Sequence, residues 1–196
     1  MDDKLGIFRS VTGKETGKVI LCRKSLRPPG NVPYVVDNLW EWKRPEGFPN
    51  RRFSVFASPQ PELALECGSG DGMVFQVELQ GKFNLCQVSK YVDSKKHPDC
   101  KELRQLLFRK LLHPNWADET MEEKEEVGRI FLPCLTKDEM ELLFRDVKEL
   151  REIRDQLYDA ITYWDDVAIL SKETEISDDQ GEIFFEPFDG YFLRKL

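Results

Sequence analysis

Apolar and polar positions alternate through residues 1–90, and this pattern predicts short strands. Four segments carry the strand signal: "LGIFRSV", "KVILC", "RRFSVFASP" and "GMVFQVEL". Between the second and the third, residues 26–50 contain five prolines and two glycines, so we expect a long loop there. Tyr34, Trp40 and Trp42 indicate that this loop is ordered, with aromatic side chains that fill core space rather than clamp a ligand.

Residues 99–170 have helical spacing instead. Leucines recur at intervals of three and four residues in "DCKELRQLLFRKLLH". An amphipathic pattern then runs from Thr136 to Leu170 behind a capping box formed by Thr136 and Glu139. The acidic run "ADETMEEKEE" is typical of the solvated start of a helix. After these helices, "GEIFFEP" and "GYFLRKL" predict two closing strands separated by a turn.

Strands, then helices, then closing strands predict one α+β domain over residues 1–196. The helical part, at about 99–170, is expected to be an insertion into that domain. We expect the closing strands to pair with the first ones. That pairing would bring residues near 9, 54 and 182 together.

Charge excludes one class of function. The chain has 36 acidic and 29 basic residues, a net charge of -7, and no basic block of the kind a duplex nucleic-acid binder needs. Single-stranded nucleic acid stays possible, because a small basic groove can exist on an acidic protein.

Cysteine and histidine usage argues against a metal site. The five cysteines include no CxxC pair and there are only two histidines, His97 and His113, each followed by proline. We expect mostly buried thiols in a reducing compartment and no catalytic role for either histidine. Neither a signal peptide nor an apolar run of membrane-spanning length is visible, so the expected location is the cytoplasm, or a host cell reached without a signal peptide.

Arg9 and the strand before Pro59 offer candidate binding groups. Arg9 lies within an apolar strand, where its guanidinium either meets a phosphate or carboxylate or faces solvent. Strand alternation places Ser54, Phe56 and Ser58 on one side. Ser58 also has a purely structural interpretation, as the N-cap of the helix that follows.

The segment "QGEIFF" offers the candidate catalytic groups, Gln180 and Glu182. A carboxylate at a strand edge is most often only solvated. Its position late in the chain, after Arg9 and after the serine-containing strand, is what makes Glu182 a candidate.

In this order the three motifs resemble the ADP-ribosyltransferase superfamily, which has Arg or His on its first strand, a Ser-Thr-Ser or Tyr motif on a second, and a late glutamate often preceded by Gln or Glu two residues earlier. The resemblance implies a split β-sheet core and NAD as substrate. Arg9 would bind the pyrophosphate, Phe56 would stack on nicotinamide, and Ser54 and Ser58 would complete the NAD site. Glu182 would stabilise the ribose cation, and Gln180 would meet the acceptor. "SVFAS" departs from Ser-Thr-Ser, and an arginine acceptor is not expected.

The expected function is therefore transfer of ADP-ribose from NAD to a macromolecule by a toxin or effector. Protein is favoured over single-stranded nucleic acid as the acceptor, and an antitoxin is a possible partner. Two alternatives stay open. The run "VFASPQPELALE" is also similar to RES-domain toxins, which would make the protein an NAD glycohydrolase or phosphorylase. The other alternative is a non-enzymatic interaction module that docks through Leu103–Leu111 and Met140–Ala168.

Overall fold

The chain has an α+β fold. The computed structural model describes residues 6–11, 18–68, 72–111, 114–171 and 178–196. Over these residues it has six α-helices: α1 Tyr34–Lys43, α2 Pro61–Cys67, α3 Asp99–Leu111, α4 Met121–Gly128, α5 Lys137–Asp146 and α6 Lys148–Ala160. Its seven strands are β1 Phe8–Val11, β2 Val55–Ala57, β3 Met73–Leu79, β4 Phe83–Val88, β5 Val167–Leu170, β6 Ile183–Pro187 and β7 Tyr191–Lys195.

The chain folds into two compact units. The first contains the sheets and α2 and consists of Met1–Leu26, Glu46–Lys96 and Asp166–Leu196. The second contains the other helices and consists of Arg27–Pro45 and His97–Asp165. The predicted helical region thus shares its unit with α1, and the assignment of one domain with an insertion stays a prediction.

Two antiparallel sheets form the first unit, in the orders β1-β3-β7 and β2-β6-β4-β5. The edge of one meets the edge of the other at Phe8 and Ser58, which exchange two backbone hydrogen bonds of 2.8 Å. The expected pairing of closing with early strands is confirmed for β6, which pairs with β2. It is confirmed for the other closing strand as well, since β7 pairs with β3, which also belongs to the early strand region.

Strand alternation decides which side chains enter the core of this unit. A single apolar cluster includes Ile7, Val55, Phe75, Phe185 and Tyr191. Because neighbouring residues of a strand point to opposite faces, Phe56 and Phe184 point away from this cluster. The face opposite the core is where the candidate site forms.

The second unit corrects the prediction of a loop over residues 26–50, because Tyr34–Lys43 is a helix. The prolines flank this helix, and Pro33 occupies its N-cap, where a missing N–H removes no helical hydrogen bond. Val36, Leu39 and Trp40 follow helical spacing and are fully buried. Trp40 stacks on Tyr163 at a ring-centre distance of 4.0 Å, which confirms its expected role in the core.

The predicted helical pattern from Thr136 to Leu170 divides into four elements: α5, α6, a 3-10 helix Tyr163–Asp166 and β5. Its capping box is confirmed, since the Thr136 hydroxyl accepts from Glu139 N at 3.2 Å and the Glu139 carboxylate accepts from Thr136 N at 2.7 Å. The acidic run also starts a helix, α4, which Thr120 caps in the same way. The helical pattern breaks at Val147, and Val167–Leu170 is a strand instead. Its apolar residues pair with β4, so tertiary pairing overrides the helical period there.

Two further predictions are corrected. The segment "KVILC" forms only an isolated bridge between Ile20 and Tyr191. All five cysteines are free, but only Cys86 is buried, and Cys67 is exposed. Among the described residues, no helix is long and apolar enough to cross a membrane.

Candidate active site

Glu182 lies immediately before β6 and is held by backbone hydrogen bonds on both sides. Its N–H donates to Tyr91 O and its carbonyl accepts from Val88 N, each at 2.8 Å. The preceding Gly181 lies so close to the strand that a Cβ there would collide with the Val88 carbonyl oxygen. Glycine is therefore required at position 181. The backbone hydrogen bonds of Glu182 fix the point from which its side chain extends.

Arg51 and Ser94 surround the Glu182 carboxylate. The Ser94 hydroxyl donates to Glu182 Oε2, and Ser94 N donates to the same oxygen at 3.3 Å. Arg51 Nη1 lies 3.7 Å from that oxygen and donates to Ser94 Oγ at 3.0 Å. All three side chains are buried. The site is thus a cation, a hydroxyl and a carboxylate linked in one cluster that is largely, but not completely, covered by protein.

Burial raises the pKa of the Glu182 carboxyl above its usual value of 4.5, because the ionised form loses hydration. Arg51 and the Ser94 hydrogen bonds act in the opposite direction, and nearby Asp93 adds to the increase in pKa. A carboxyl group with a raised pKa can exchange a proton closer to neutral pH than a solvated one can.

An aromatic wall lies against the Arg51 guanidinium. Phe56 on β2 is directly opposite Phe184 on β6, and the two rings stack with centres 6.1 Å apart. The Arg51 guanidinium carbon lies 4.9 Å from the Phe56 ring centre and 5.4 Å from that of Phe184. Phe184 is fully buried, whereas Phe56 is partly exposed. Phe56 therefore has ring surface available to a ligand.

A second carboxylate and a thiol lie near this cluster. Asp93 is buried and forms a 3.0 Å salt bridge with Lys95. The Asp93 pair raises the pKa of Lys95. Cys67 donates from its sulfur to Val92 O at 3.5 Å, and burial together with Asp93 and Glu182 raises its thiol pKa. A raised pKa keeps Cys67 protonated, so it is poorly suited to act as a nucleophile.

Of the predicted serines, Ser58 lies nearer to Glu182 than Ser54 does. The register pairs Ala57 with Ile183, so one further position places Ser58 opposite Glu182. Ser54 is four residues away along the chain, roughly 13 Å at the usual rise of a strand. Its hydroxyl donates to Asn50 O at 2.8 Å instead. The predicted N-cap role of Ser58 is wrong, because α2 begins at Pro61 with Gln60 as its N-cap.

Arg9 faces away from Glu182. It pairs with the core residue Phe75, and its Nη1 donates to the Tyr191 hydroxyl at 3.3 Å. Tyr191 belongs to the core cluster, whereas Glu182 precedes the core residue Ile183 and so lies on the opposite face of its strand. The fold brings β1, β2 and β6 together as expected, but the arginine at Glu182 is Arg51.

Gln180 is exposed and lies two residues before Glu182, in the segment that leads into β6. Its backbone N–H donates to Asp178 Oδ1 at 2.8 Å. The buried Gln87 side chain donates to Gly181 O at 3.2 Å, and Lys90 N donates to the Asp178 carboxylate. These bonds hold the segment in place while the Gln180 side chain stays accessible to an incoming molecule.

Arg51 and Ser94 are site residues that the sequence did not identify. Arg51 was visible only as half of an Arg-Arg pair, and Ser94 lies in "YVDSKKHPD", which contains no recognisable motif. His97 belongs to the second unit, where it is buried beside Asp99. His113 lies outside the described residues. Within the described ranges, no group of three or more metal-ligating side chains could hold a metal ion.

Comparison of the chain with protein-family models, with curated proteins and with solved structures finds no match.

Proposed function

We propose that the protein is an NAD-dependent ADP-ribosyltransferase in which Glu182 is the catalytic carboxylate. One observation carries the proposal: Glu182, Arg51 and Phe56 lie together on one face of the four-stranded sheet. These are a carboxylate, a guanidinium and a partly exposed aromatic ring. They match the three parts of NAD that a transferase must hold.

Each group has a distinct chemical task. Arg51 attracts the pyrophosphate, for which a planar guanidinium is well suited. Phe56 provides a surface for the nicotinamide ring. Glu182 accepts a hydrogen bond from a ribose hydroxyl and faces the positive charge that develops on the ribose as its bond to nicotinamide breaks.

The reaction balances without a further reagent. Nicotinamide leaves with the electron pair of its bond to ribose C1′. A nucleophilic atom of the acceptor then forms a bond to C1′ and loses its proton to solvent or to the Glu182 carboxylate. Gln180, exposed two residues before Glu182, contacts the acceptor in this proposal.

This assignment moves the pyrophosphate contact from Arg9 to Arg51. Of the two predicted serines, it takes Ser58 rather than Ser54 as the one nearer to Glu182. The Ser94 hydroxyl and N–H orient the Glu182 carboxylate. Ser94 is therefore a positioning residue in the proposed mechanism.

The proposal is tested by incubating the purified protein with NAD labelled on its adenylate part and a cell lysate, followed by separation of protein from nucleic acid. We expect label in the protein fraction, with loss of at least about a hundredfold in Glu182→Gln, since one transition-state group of this kind contributes that much. Glu152→Gln, an exposed acid on α6, is the matched control.

The other outcomes discriminate between the alternatives. Label in the nucleic-acid fraction would support transfer but change the acceptor class. Nicotinamide release without labelled macromolecule would replace the proposal by an NAD glycohydrolase or phosphorylase. If labelling and nicotinamide release are both absent, the enzyme assignment is wrong.

A further inference from the structure

A groove of about 450 Å³ lies within the second unit. The residues that line it are different from those of the candidate active site, which belong to the first unit. The start of α1, one side of α3 and the short 3-10 helix Arg129–Phe131 form its walls. The residues that line it include Tyr34, Val35, Arg104, Leu107, Phe108 and Phe131.

Three aromatic side chains in this groove are only half covered. Tyr34, Phe108 and Phe131 are 43%, 48% and 42% exposed. Val35 and Leu107, which also line the groove, are buried, whereas the three aromatic rings leave about half of their surface exposed. Clustered exposed aromatic residues with an arginine are the composition typical of protein interaction sites.

The lining of the groove carries a positive charge, that of Arg104, although the chain as a whole carries -7. Arg104 is the charged residue that lines it, and within the described ranges its guanidinium makes no hydrogen bond or salt bridge. The exposed side of α3 carries four cations against one carboxylate: Lys101, Arg104, Arg109 and Lys110 against Glu102. A partner that complements this surface must be acidic.

We propose that this groove binds an acidic segment of a partner protein, with one large apolar side chain inserted between Tyr34, Phe108 and Phe131 and a neighbouring Asp or Glu paired with Arg104. The half-exposed aromatic rings make the groove accessible from solvent, which suits a side chain presented by a peptide backbone. An apolar small molecule, by contrast, is normally enclosed over most of its surface. This site is independent of the proposed enzymatic function.

Fluorescence polarisation with short synthetic peptides tests the proposal. The peptides carry one Leu, Phe or Trp within flanks that are acidic, neutral or basic. We expect saturable binding of the acidic peptides, at least about tenfold tighter than the basic ones and weakened by salt, as charge complementarity requires. Phe108→Ala should weaken binding about tenfold, the size of effect usual for an aromatic anchor.

Two further variants make the test specific. Arg104→Glu should weaken the binding of the acidic peptides and leave the binding of the neutral ones unchanged. Met121→Ala removes a side chain that is 80% exposed and does not line the groove, so it should leave the affinity unchanged. The proposal is overturned if no peptide saturates, if acidic and basic peptides bind alike, or if Phe108→Ala binds normally. If dodecanoate displaces the acidic peptide and binds with equal affinity, the groove is a small-molecule site, and the proposal is overturned in that case too.

Discussion

The Ser94 hydroxyl donates to the Glu182 carboxylate, and the same hydroxyl accepts a 3.0 Å hydrogen bond from Arg51 Nη1. Ser94 therefore links the cation and the carboxylate of the candidate site. Because hydrogen bonds to an ionised carboxyl group lower its pKa, this serine also counteracts part of the burial effect on Glu182.

Ser94→Ala should therefore raise the pKa of Glu182 further, since the variant keeps only the backbone donor. If Glu182 acts in its ionised form, the acidic limb of the pH profile of kcat/KM will move to higher pH. Ser94→Thr, which retains the hydroxyl, should keep the original profile. An unchanged profile in Ser94→Ala would show that the serine does not position the carboxylate.

Two substitutions test which arginine binds NAD. Arg51→Lys changes the arginine that lies at Glu182 in the structure, and Arg9→Lys changes the one expected from the sequence. Lysine keeps the charge but loses the planar fork, so Arg51→Lys should weaken NAD binding by about tenfold or more. Arg9 lies on the other face and bonds to Tyr191, so Arg9→Lys should change NAD affinity by less than about twofold. Calorimetric titration with NAD measures both affinities. A larger loss of NAD affinity in Arg9→Lys than in Arg51→Lys would indicate that Arg9, and not Arg51, binds the pyrophosphate.

Glu182 should make folding stability pH-dependent, with a sign that follows from its raised pKa. Its contribution to the free energy of unfolding is fully present below the unfolded-state pKa of about 4.5 and is lost as pH rises through the higher folded-state value. Relative to Glu182→Gln, the wild-type chain should therefore become less stable as pH rises.

Urea unfolding of wild type and Glu182→Gln across this pH range measures the difference. Glu152→Gln is the control, because the Glu152 side chain is exposed and should leave the pH dependence of the wild type intact. A difference that stays constant with pH, or that grows in favour of the wild type, would contradict the raised pKa.

Among the acidic residues of the second unit, Asp99 should be the one whose replacement lowers the free energy of unfolding most. It is fully buried and accepts from Trp40 Nε1 at 2.9 Å, Thr162 Oγ1 at 2.8 Å and Tyr163 N at 3.0 Å. Asp99→Asn turns one acceptor into a donor that faces other donors, so we expect a loss of about 2–3 kcal/mol in the free energy of unfolding. Urea unfolding followed by tryptophan fluorescence tests it, with exposed Glu102→Gln on the same helix expected to change stability by less than about 0.5 kcal/mol. Equal effects of the two changes would refute the role of Asp99.

Much of the candidate site was accessible from the sequence. Glu182 and Phe56 were identified, and their strands do lie side by side, with Phe56 opposite Phe184. Arg51 and Ser94 were not identified, because they come from segments outside the strands. Only the folded chain brings those segments to the Glu182 carboxylate. Which face of its strand Arg9 occupies was left open by the sequence, since alternation separates the two faces of a strand but does not say which one is covered by core.

The sequence by itself determined the local features of this protein. The capping box at Thr136, the strand after Glu182 and the turn before Gly190, whose φ is +89°, follow from interactions between residues a few positions apart. Tertiary structure decided the rest. Trp40 and its helix are stable among proline-rich flanks because packing against Tyr163 outweighs local signals. Val167–Leu170 is a strand because β4 supplies its hydrogen-bond partners. The arginine that meets Glu182 likewise depends on which strands pair and which face is buried, and those are properties of the assembled sheet.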